Sequence, residues 1–428
     1  MMNNMKTFFK KIIIAILKFE AKLILAKFRP KIIAISGTVG KTSAKEAVAL
    51  VLESEFDVRK SEKSYNSEIG VPLTVIGAKT GWDSLKQWLA IILRGLKIFL
   101  WSDNYPKFLV LEMGVDRPKD MEKMISWVKP DVAVITAVGT IPVHVQYFSG
   151  PEELISEKRK LAECLNGNNW AILNIDDKAI ASFRKNIKAQ IISYGFSGSA
   201  DLVASNYKMD GEGIVFKINY RGNVVPVRLD KFFGRHNVYT VLAAVGAGLA
   251  GGINLVKSVE AISKMKPLLG RINLLEGING SLIFDDSYNS SPLAAEAAIE
   301  VLSEYPAKRR IAVLGDMKEL GEFSKSEHER IGEMLRVRDV WLLFTVGSEA
   351  KFIAEGARRS GFDAFKIFEF SDSTEAGEAV RKIIQEGDLI LVKGSQSARM
   401  EKVTERIIAH PEDKEKLLVR QEEEWKNR

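Results

Sequence analysis

Short apolar runs alternate with helical stretches along the first half of the chain. Strand-like runs lie at 32–35, 108–111, 132–136 and 170–174, and amphipathic stretches separate them. Strands that alternate with helices are typical of a parallel sheet covered by helices on both faces. The pattern therefore predicts a doubly wound parallel sheet.

The pattern changes at residues 191–229, where glycine-rich turns separate alternating apolar and polar runs such as 214–220 and 223–229. This alternation predicts antiparallel strands that close the central domain. A second α/β series starts near residue 270, where strand-like runs again alternate with helical stretches. They lie at 281–285, 310–314, 341–345, 366–369 and 388–392.

We therefore predict an α/β protein with two folded domains. The segment 1–30 is a basic amphipathic helix. Residues 31–268 form a central P-loop-type domain with an antiparallel subsheet, and 269–410 form a C-terminal Rossmann-like domain. The charged segment 411–428 is expected to be a solvated helix or a frayed tail.

The positive charge is concentrated at the N-terminus. Residues 1–31 contain eight Lys or Arg and only Glu20 as an acid, which equals the formal net charge of +7 of the whole chain. The remainder is nearly neutral, so we expect no nucleic-acid partner.

The uncharged run Ile12–Leu17 is too short to span a bilayer. Two interpretations stay open for residues 1–30: a helix packed on the body, or a peripheral contact with an anionic membrane surface.

A second strongly apolar helical stretch lies at 84–101, where we favour core or interdomain packing over a membrane contact. The single cysteine, Cys164, excludes an internal disulfide and a cysteine-rich metal site. The presence of one cysteine is typical of a protein in a reducing compartment, so we expect the protein to be cytoplasmic. We also expect a monomer. A peripheral membrane contact through residues 1–30 would place it at the inner face of the membrane.

The clearest chemical motif is Gly-Thr-Val-Gly-Lys-Thr-Ser at 37–43, between an apolar strand and a helix. Such a loop directs backbone N–H groups at one phosphate-sized spot. Lys41 is positioned to neutralise phosphates and Thr42 to bind Mg²⁺. The usual P-loop has a glycine five residues before its last one, where this chain has Ile35.

Polar groups also follow other apolar strands, at the edge where such sheets bind ligands. Glu112 ends one strand and is a candidate magnesium ligand, and His144 lies after the next. The remaining segments of this kind are Gly234–Asn237, Gly270-Arg271, Asp285–Pro292, Val313–Glu322 and Leu391–Glu401.

Taken together, these segments resemble the Mur ligases from about Pro30 to about Ile408. The resemblance implies an ATP- and Mg²⁺-dependent amide ligase of peptidoglycan precursor synthesis, important for cell wall biogenesis, shape and division. It further implies that the enzyme adds D-alanyl-D-alanine to a UDP-MurNAc-tripeptide through an acyl phosphate.

The resemblance also implies roles for individual residues. Lys41, His144 and Lys158 would be catalytic, and the metal ligands would be Thr42, Glu112, His144 and Lys158 as a carbamate. The ATP site would contain Gly37, Thr38, Val39, Gly40, Lys41, Thr42, Ser43, His236, Asn237, Arg271, Asp286 and Asn289. The substrates would contact Asn66, Asp316, Lys393, Ser395, Ser397 and Arg399.

The sequence departs from the family pattern at three places. Ser291 replaces an asparagine, and the segment Arg117–Asp120 lacks a glycine after the arginine. About 30 residues stand where the family has a domain that holds the UDP-sugar, so how that group is held stays open.

Two other functions stay open. One is a related ligase with another carboxylate acceptor, such as a cyanophycin synthetase; the segment Asp285–Asn289 argues against a folylpolyglutamate synthase. The other is a membrane-associated nucleotide-binding module without ligation.

Overall fold

The computed structural model of the chain describes residues 2–62, 65–82, 84–422 and 425, with side chains from residue 12 onward. Parts of the predicted segments 1–30 and 411–428 therefore lie outside the described residues. The predicted α/β class is confirmed, because two mainly parallel sheets are each enclosed by helices.

The central sheet has nine strands in the order β2-β3-β1-β4-β5-β6-β7-β8-β9. The strands are β1 Lys31–Ser36, β2 Val58–Lys60, β3 Phe108–Glu112, β4 Val132–Ile135, β5 Trp170–Asn174, β6 Gln190–Gly195, β7 Leu202–Met209, β8 Gly213–Tyr220 and β9 Asn223–Asp230. Neighbouring strands run parallel from β2 to β7, and the last two pairs are antiparallel.

The helices of the N-terminal part lie on both faces of this sheet. They are α1 Met2–Phe28, α2 Lys41–Glu53, α3 Gly70–Ile76, α4 Leu85–Trp101, α5 Asp120–Ile125, α6 Pro151–Glu163, α7 Lys178–Ala181, α8 Arg235–Gly251 and α9 Leu255–Ile262. On β1, Ile33 and Ile35 pack with α2 and α8, whereas Ile32 and Ala34 pack on the opposite side with α1. This alternation follows from the two-residue period of a strand.

The second sheet has six strands in the order β10-β11-β15-β12-β13-β14, and only β10 is antiparallel to its neighbour. The strands are β10 Asn273–Glu276, β11 Leu282–Asp286, β12 Arg309–Gly315, β13 Leu342–Val346, β14 Ile367–Phe370 and β15 Asp388–Lys393. Its helices are α10 Pro292–Glu304, α11 Ser324–Val337, α12 Lys351–Arg359, α13 Ser373–Ile383, α14 Glu401–Ile407 and α15 Lys414–Leu417.

An aromatic cluster joins the two domains. Phe233, just before α8, lies 5.1 Å from Phe284 and 5.6 Å from Tyr305 between ring centroids. Tyr305 also donates a hydrogen bond from its hydroxyl to the carbonyl oxygen of Gly211 at 3.1 Å. Because Phe233 and Val143 are buried within the core of the second sheet, the two domains share apolar surface.

The C-terminal tail differs from the expected solvated segment. Leu418 is 2% exposed, and the Arg420 guanidinium donates hydrogen bonds of 3.0 Å to Glu401 and to the carbonyl oxygen of Ser287. A buried guanidinium needs such partners because desolvation is costly. The tail up to this point therefore packs on the second domain.

The helix α1 packs on the body, as one of the two interpretations for residues 1–30 predicted. It buries Leu17, Ala21 and Ile24 in the same core as α4. Among the described residues, no helix has both the length and the apolar character needed to cross a membrane.

The stretch 84–101 is helical as predicted. The expected core or interdomain packing holds for only part of it, because many of its large apolar side chains are exposed.

The contact between α1 and α4 contains a buried acid. Glu20 is 2% exposed, and neither carboxylate oxygen has a hydrogen-bond partner among the described residues. A Cβ on Gly95 would lie 2.3 Å from one of these oxygens, so the glycine makes room for the acid. Burial raises the pKa of Glu20 to about 7, because the charged form loses its hydration.

This burial predicts a pH-dependent stability. The folded pKa of Glu20 lies above the ordinary value of 4.5, so the folded protein loses stability as pH rises from 4.5 to about 7, and this loss is complete above that range. Glu20→Gln should remove this loss, with an advantage in thermal midpoint over the wild type that grows with pH to about 3 °C. Glu53→Gln, at an exposed position of α2, is the control. A pH-independent difference between wild type and Glu20→Gln would contradict this account.

Candidate active site

The carboxyl ends of the two sheets meet at a cavity of about 300 Å³. Strands β1, β3 and β4 deliver residues from the central domain, and β11 and β15 deliver residues from the other. The sequence-predicted residues that line it are Thr38, Val39, Gly40, Lys41, Thr42, Ser43, Asn66, Glu112, His144, His236, Asn237, Arg271, Asp286, Asn289 and Lys393. One cavity thus contains both phosphate-loop residues and residues from the second domain.

The loop between β1 and α2 depends on two glycines. Gly37 has φ +146° and Gly40 has φ +85°, backbone conformations that L side chains rarely adopt. A Cβ on Gly37 would lie 2.1 Å from the Thr136 hydroxyl oxygen. That hydroxyl itself donates to the carbonyl oxygen of Val39 at 2.7 Å, so β4 holds the loop tightly.

Hydrogen bonding separates the loop into two parts. The N–H groups of Thr38 and Val39 both donate to the carbonyl oxygen of Ala137, at 2.6 and 3.1 Å. The next residues begin α2, whose N-cap Gly40 has no side chain that could cap the helix. The N-terminus of a helix attracts anions. The amides suited to a phosphate are therefore those at the start of α2, whereas Gly37, Thr38 and Val39 shape the loop.

Lys41 curls back over this loop. Its ammonium group donates to the carbonyl oxygens of Gly37 and Thr38 at 2.9 and 3.1 Å. Burial lowers the pKa of Lys41, the nearby Glu112 carboxylate raises it, and Arg271 lowers it further. The influence of Arg271 shows that cations from both domains converge on this point.

Thr42, Glu112 and Asn66 form one hydrogen-bonded group. The Thr42 hydroxyl and the Asn66 amide donate to the two carboxylate oxygens of Glu112, each at 3.1 Å. The pairing of β1 with β3 places Ile35 beside Glu112 and thereby brings the acid to the loop. Hydroxyl and carboxylate oxygens are the ligands that Mg²⁺ prefers, and phosphates and waters complete its shell. These donors therefore fit a magnesium ion bound together with phosphates.

His144 lies between acids from both domains. Its Nε2 is 3.3 Å from Asp116, and its Nδ1 is 2.7 Å from Glu319 of the second domain. Burial lowers the pKa of His144, against the effect of the two carboxylates, which raise it. The predicted metal ligand is thus at the domain junction, and both of its nitrogens face carboxylates in this structure.

Lys158, on α6, lies behind the loop and does not line the cavity. It is 2% exposed, and its Nζ donates to the carbonyl oxygen of Gly37 at 3.3 Å. Burial, together with the positive charge of Lys41, lowers the pKa of Lys158 to about 7. A substantial share of this amine is therefore neutral at neutral pH.

The residues His236 and Asn237 begin α8 on another wall of the cavity. The Asn237 amide donates to the carbonyl oxygen of Phe233 at 2.8 Å and lies 3.1 Å from Nε2 of His236. Burial and the nearby charges of Lys393 and Arg271 lower the pKa of His236 to about 4, so the imidazole is neutral. Its buried Nδ1 has no hydrogen-bond partner in the described structure and is available to a ligand.

The second domain contributes cations that are held in place. Lys393 lies 2.6 Å from a carboxylate oxygen of Asp286 and also donates to the carbonyl oxygen of Asn289 at 2.9 Å. The parallel pairing of β11 with β15 sets Asp286 beside Lys393. The guanidinium carbon of Arg271 lies over the ring of Tyr288, 4.3 Å from its centroid, which is a cation–π contact.

Four residues predicted to contact the substrates do not line this cavity. Asp316 accepts hydrogen bonds from the amides of Glu349 and Ala350, and Ser395 accepts one from the amide of Lys318. Both therefore organise loops of the second domain. Ser397 is exposed, and Arg399 pairs with Glu401.

Several other residues that line the cavity were not predicted from the sequence. They are Thr136, Ala137, Val143, Tyr194, Tyr239, Thr240, Ile272, Tyr288, Ser290, Ser291, Ala294, Ala297 and Gln396. Thr136 follows a strand and Tyr288 lies within the segment Asp285–Pro292, so both carried a detectable signal. Tyr194 belongs to β6, which lies almost entirely within the stretch 191–229; antiparallel strands were predicted there, whereas β6 pairs in parallel with β5 and β7. Ser291, one of the departures from the family pattern, accepts a hydrogen bond from the Ala294 amide at the start of α10.

A second cavity of about 750 Å³ adjoins the first. The two share the residues Thr42, Arg271, Tyr288 and Gln396 in their walls. Described residues of the C-terminal tail, among them Glu415, Arg420 and Trp425, and the start of α2 line its other sides. Thr42 and Arg271 thus stand between two spaces, each large enough for a small ligand.

Comparison with known proteins identifies two matching family models. The Mur ligase middle domain matches residues 93–248, and the Mur ligase glutamate ligase domain matches residues 270–396. The UDP-N-acetylmuramoyl-tripeptide--D-alanyl-D-alanine ligase of Bacillus subtilis is 27% identical over 394 residues, which cover 91% of this chain and 79% of the relative.

Solved structures are similar over the same region. The MurF ligase of Thermotoga maritima in complex with ADP superposes with a TM-score of 0.76 at 26% identity, covering 92% of this chain and 83% of the other. MurF from Acinetobacter baumannii gives a TM-score of 0.77 at 25% identity, with 92% and 79% covered. The similarity therefore includes both sheets and the cavity between them.

The geometry of the loop predicts that Gly37→Ala impairs nucleotide binding. The added Cβ would meet the Thr136 hydroxyl and the backbone of Ala137, so the loop must shift. We expect an ADP affinity at least about tenfold lower, measured by calorimetric titration. Gly198→Ala, where a Cβ meets nothing within 4 Å, is the control. Wild-type ADP affinity in Gly37→Ala would show that the loop does not hold the phosphates.

Proposed function

The chain belongs to the Mur ligase family, and from this premise we propose that it joins D-alanyl-D-alanine to a UDP-MurNAc-tripeptide at the expense of ATP. One observation carries the proposal: the start of α2, Thr42 and Glu112 face Arg271 and Lys393 of the second domain across one cavity. A monomer in the cytoplasm, engaged in peptidoglycan precursor synthesis, is part of the same proposal.

In this proposal, ATP occupies the smaller cavity. The β- and γ-phosphates lie at the N-terminus of α2, where Lys41 and Arg271 offset their charge. The neutral His236 and the residues around Asp286 form the nucleoside side. The similarity to a ligase solved with ADP supports nucleotide binding in this region.

Magnesium is the metal that suits this site. Thr42 and Glu112 would hold it, with Asn66 orienting the carboxylate. When bound, the ion offsets the negative charge that develops on the transferring phosphoryl group.

The acceptor peptide would enter through the larger cavity, so that its carboxylate reaches the γ-phosphate at the shared wall. A carboxylate oxygen attacks the γ-phosphorus, the bond to ADP breaks, and an acyl phosphate forms. The amine of the dipeptide, after losing a proton, then attacks the carbonyl carbon and expels inorganic phosphate. No covalent bond to the protein is needed, and the chain contributes positioning and electrostatic stabilisation.

We propose that the amine of Lys158 is carbamylated and that the carbamate acts as a metal ligand together with His144. An amine must be unprotonated to react with CO₂, and the depressed pKa of Lys158 supplies that form. The carbamate is anionic, so it would turn a buried cation beside the phosphate loop into a group suited to magnesium. The burial of Lys158 against Gly37 supports this assignment.

The decisive assay measures phosphate release and product mass in a matrix of acceptors and amines. We expect phosphate and a new amide in equal amounts only when ATP, a UDP-MurNAc-tripeptide and D-alanyl-D-alanine are all present. Product from another carboxylate acceptor, as in a cyanophycin-type ligase, would overturn the substrate assignment. ATP binding without any amide product would overturn ligation itself.

The carbamate assignment predicts that Lys158→Ala loses about a hundredfold or more in kcat. The matched control is Lys160→Ala on the same helix, where the side chain is partly exposed and pairs with Glu157. Carbon NMR after incubation with ¹³C-bicarbonate should show a carbamate signal in the wild type and in Lys160→Ala only. Wild-type turnover in Lys158→Ala, or the same carbamate signal in that variant, would contradict the assignment.

A further inference from the structure

Many exposed apolar side chains are concentrated on the two helices α1 and α4. Ten of the seventeen exposed large apolar side chains in the described part of the chain belong to these helices or directly precede α4. They are Ile12, Ile16, Phe19, Trp82, Leu85, Leu89, Leu93, Leu96, Leu100 and Trp101. Water-exposed patches of this kind are rare unless they bind a partner. We define these ten residues as the outer face.

Helical spacing makes this surface a pair of stripes. On α4, the leucines recur every three or four residues and lie on one side, whereas Ile91 and Gly95 on the other side are buried. On α1, Ile12, Ile16 and Phe19 have the same spacing. The inward-facing positions of both helices belong to one core, so the two stripes share the outside of one helical layer.

The two helices run parallel and are held together at defined points. The Lys27 ammonium donates to the carbonyl oxygens of Phe99 and Ser102, each at 2.8 Å. Seven residues before Lys27, which is about two helical turns, Glu20 packs against Gly95. Positions about 75 apart in sequence therefore lie side by side, which aligns the stripe of α1 with that of α4.

The charges around the outer face have one sign. The sequences of α1 and α4 contain nine Lys or Arg, and their only acid, Glu20, is buried beneath the surface. Lys22, Lys86, Arg94 and Lys97 are exposed on these helices. An occupant of this surface must therefore be apolar in part and negatively charged around the apolar part.

We propose that the outer face docks on an anionic lipid bilayer, with both helices lying in the plane of the membrane interface. Leucines would enter the acyl region, the lysines and arginines would meet lipid headgroups, and Trp82 and Trp101 would lie at the two ends of α4. Tryptophan favours the boundary between headgroups and acyl chains. A second copy of the same face fits less well, since it would bring cations against cations.

The test is sedimentation of the full chain with vesicles. We expect binding to phosphatidylglycerol vesicles, much weaker binding to phosphatidylcholine vesicles, and a marked loss as salt is raised. Leu89→Gln with Leu93→Gln should weaken binding at least about tenfold. The matched control is Val337→Gln with Phe365→Gln, which alters two apolar residues of the second domain that are even more exposed than the two leucines.

Folding of each variant is checked by its thermal unfolding midpoint, so a loss of binding is assigned to the surface. Failure of the wild type to sediment with phosphatidylglycerol would overturn the proposal, as would equal binding by the Leu89/Leu93 variant. Light scattering provides the last check. A dimer of the wild type that the same two substitutions dissociate would show that a second copy covers the face instead of lipid.

Discussion

The arrangement of the site depends on the docking of the two sheets at their carboxyl ends. The phosphate loop belongs to one domain, whereas Arg271, Asp286 and Lys393 belong to the other. They share a cavity because Phe233 packs into the core of the second domain. His144 and Glu319 make a polar contact at the same junction. Transfer chemistry in such a cavity is sensitive to small displacements of either domain.

The second constraint on the site is the burial of several cations. It follows from the docking of the two sheets, because docking brings cations of both domains to one cavity. Lys41, Arg271 and Lys393 all line one cavity, while Lys158 lies just behind the loop. Burial and mutual repulsion lower the pKa values of Lys41 and Lys158. A polyphosphate with its magnesium would relieve this repulsion, so the cavity is electrostatically suited to an anion.

Sequence patterns were sufficient for the fold class and for the loop. The runs that end at Glu112 and Asp286 are buried parallel strands, and their ends contribute to the cavity. The strands β2, Val-Arg-Lys, and β10, Asn-Leu-Leu-Glu, were missed because each contains only one or two apolar residues and forms no recognisable apolar run.

Other features depend on tertiary contacts that no local pattern encodes. Asp316 and Ser395 are polar residues after strands, like Glu112, yet they bond to neighbouring loops instead of facing the cavity. The tail was predicted to be solvated because the partners of Arg420 are distant in sequence: Ser287 lies more than a hundred residues away, and Glu401 lies on α14. Likewise, apolar content predicted burial for α4, whereas the structure exposes one side of it.

The most direct test of the central claim is a crystal structure of the chain with Mg²⁺ and a non-hydrolysable ATP analogue. The account predicts terminal phosphates at the start of α2, with magnesium bound by Thr42 and Glu112. It also predicts that Arg271 of the second domain contacts the same phosphates. Phosphates bound by residues of one domain alone, away from the start of α2, would contradict the account.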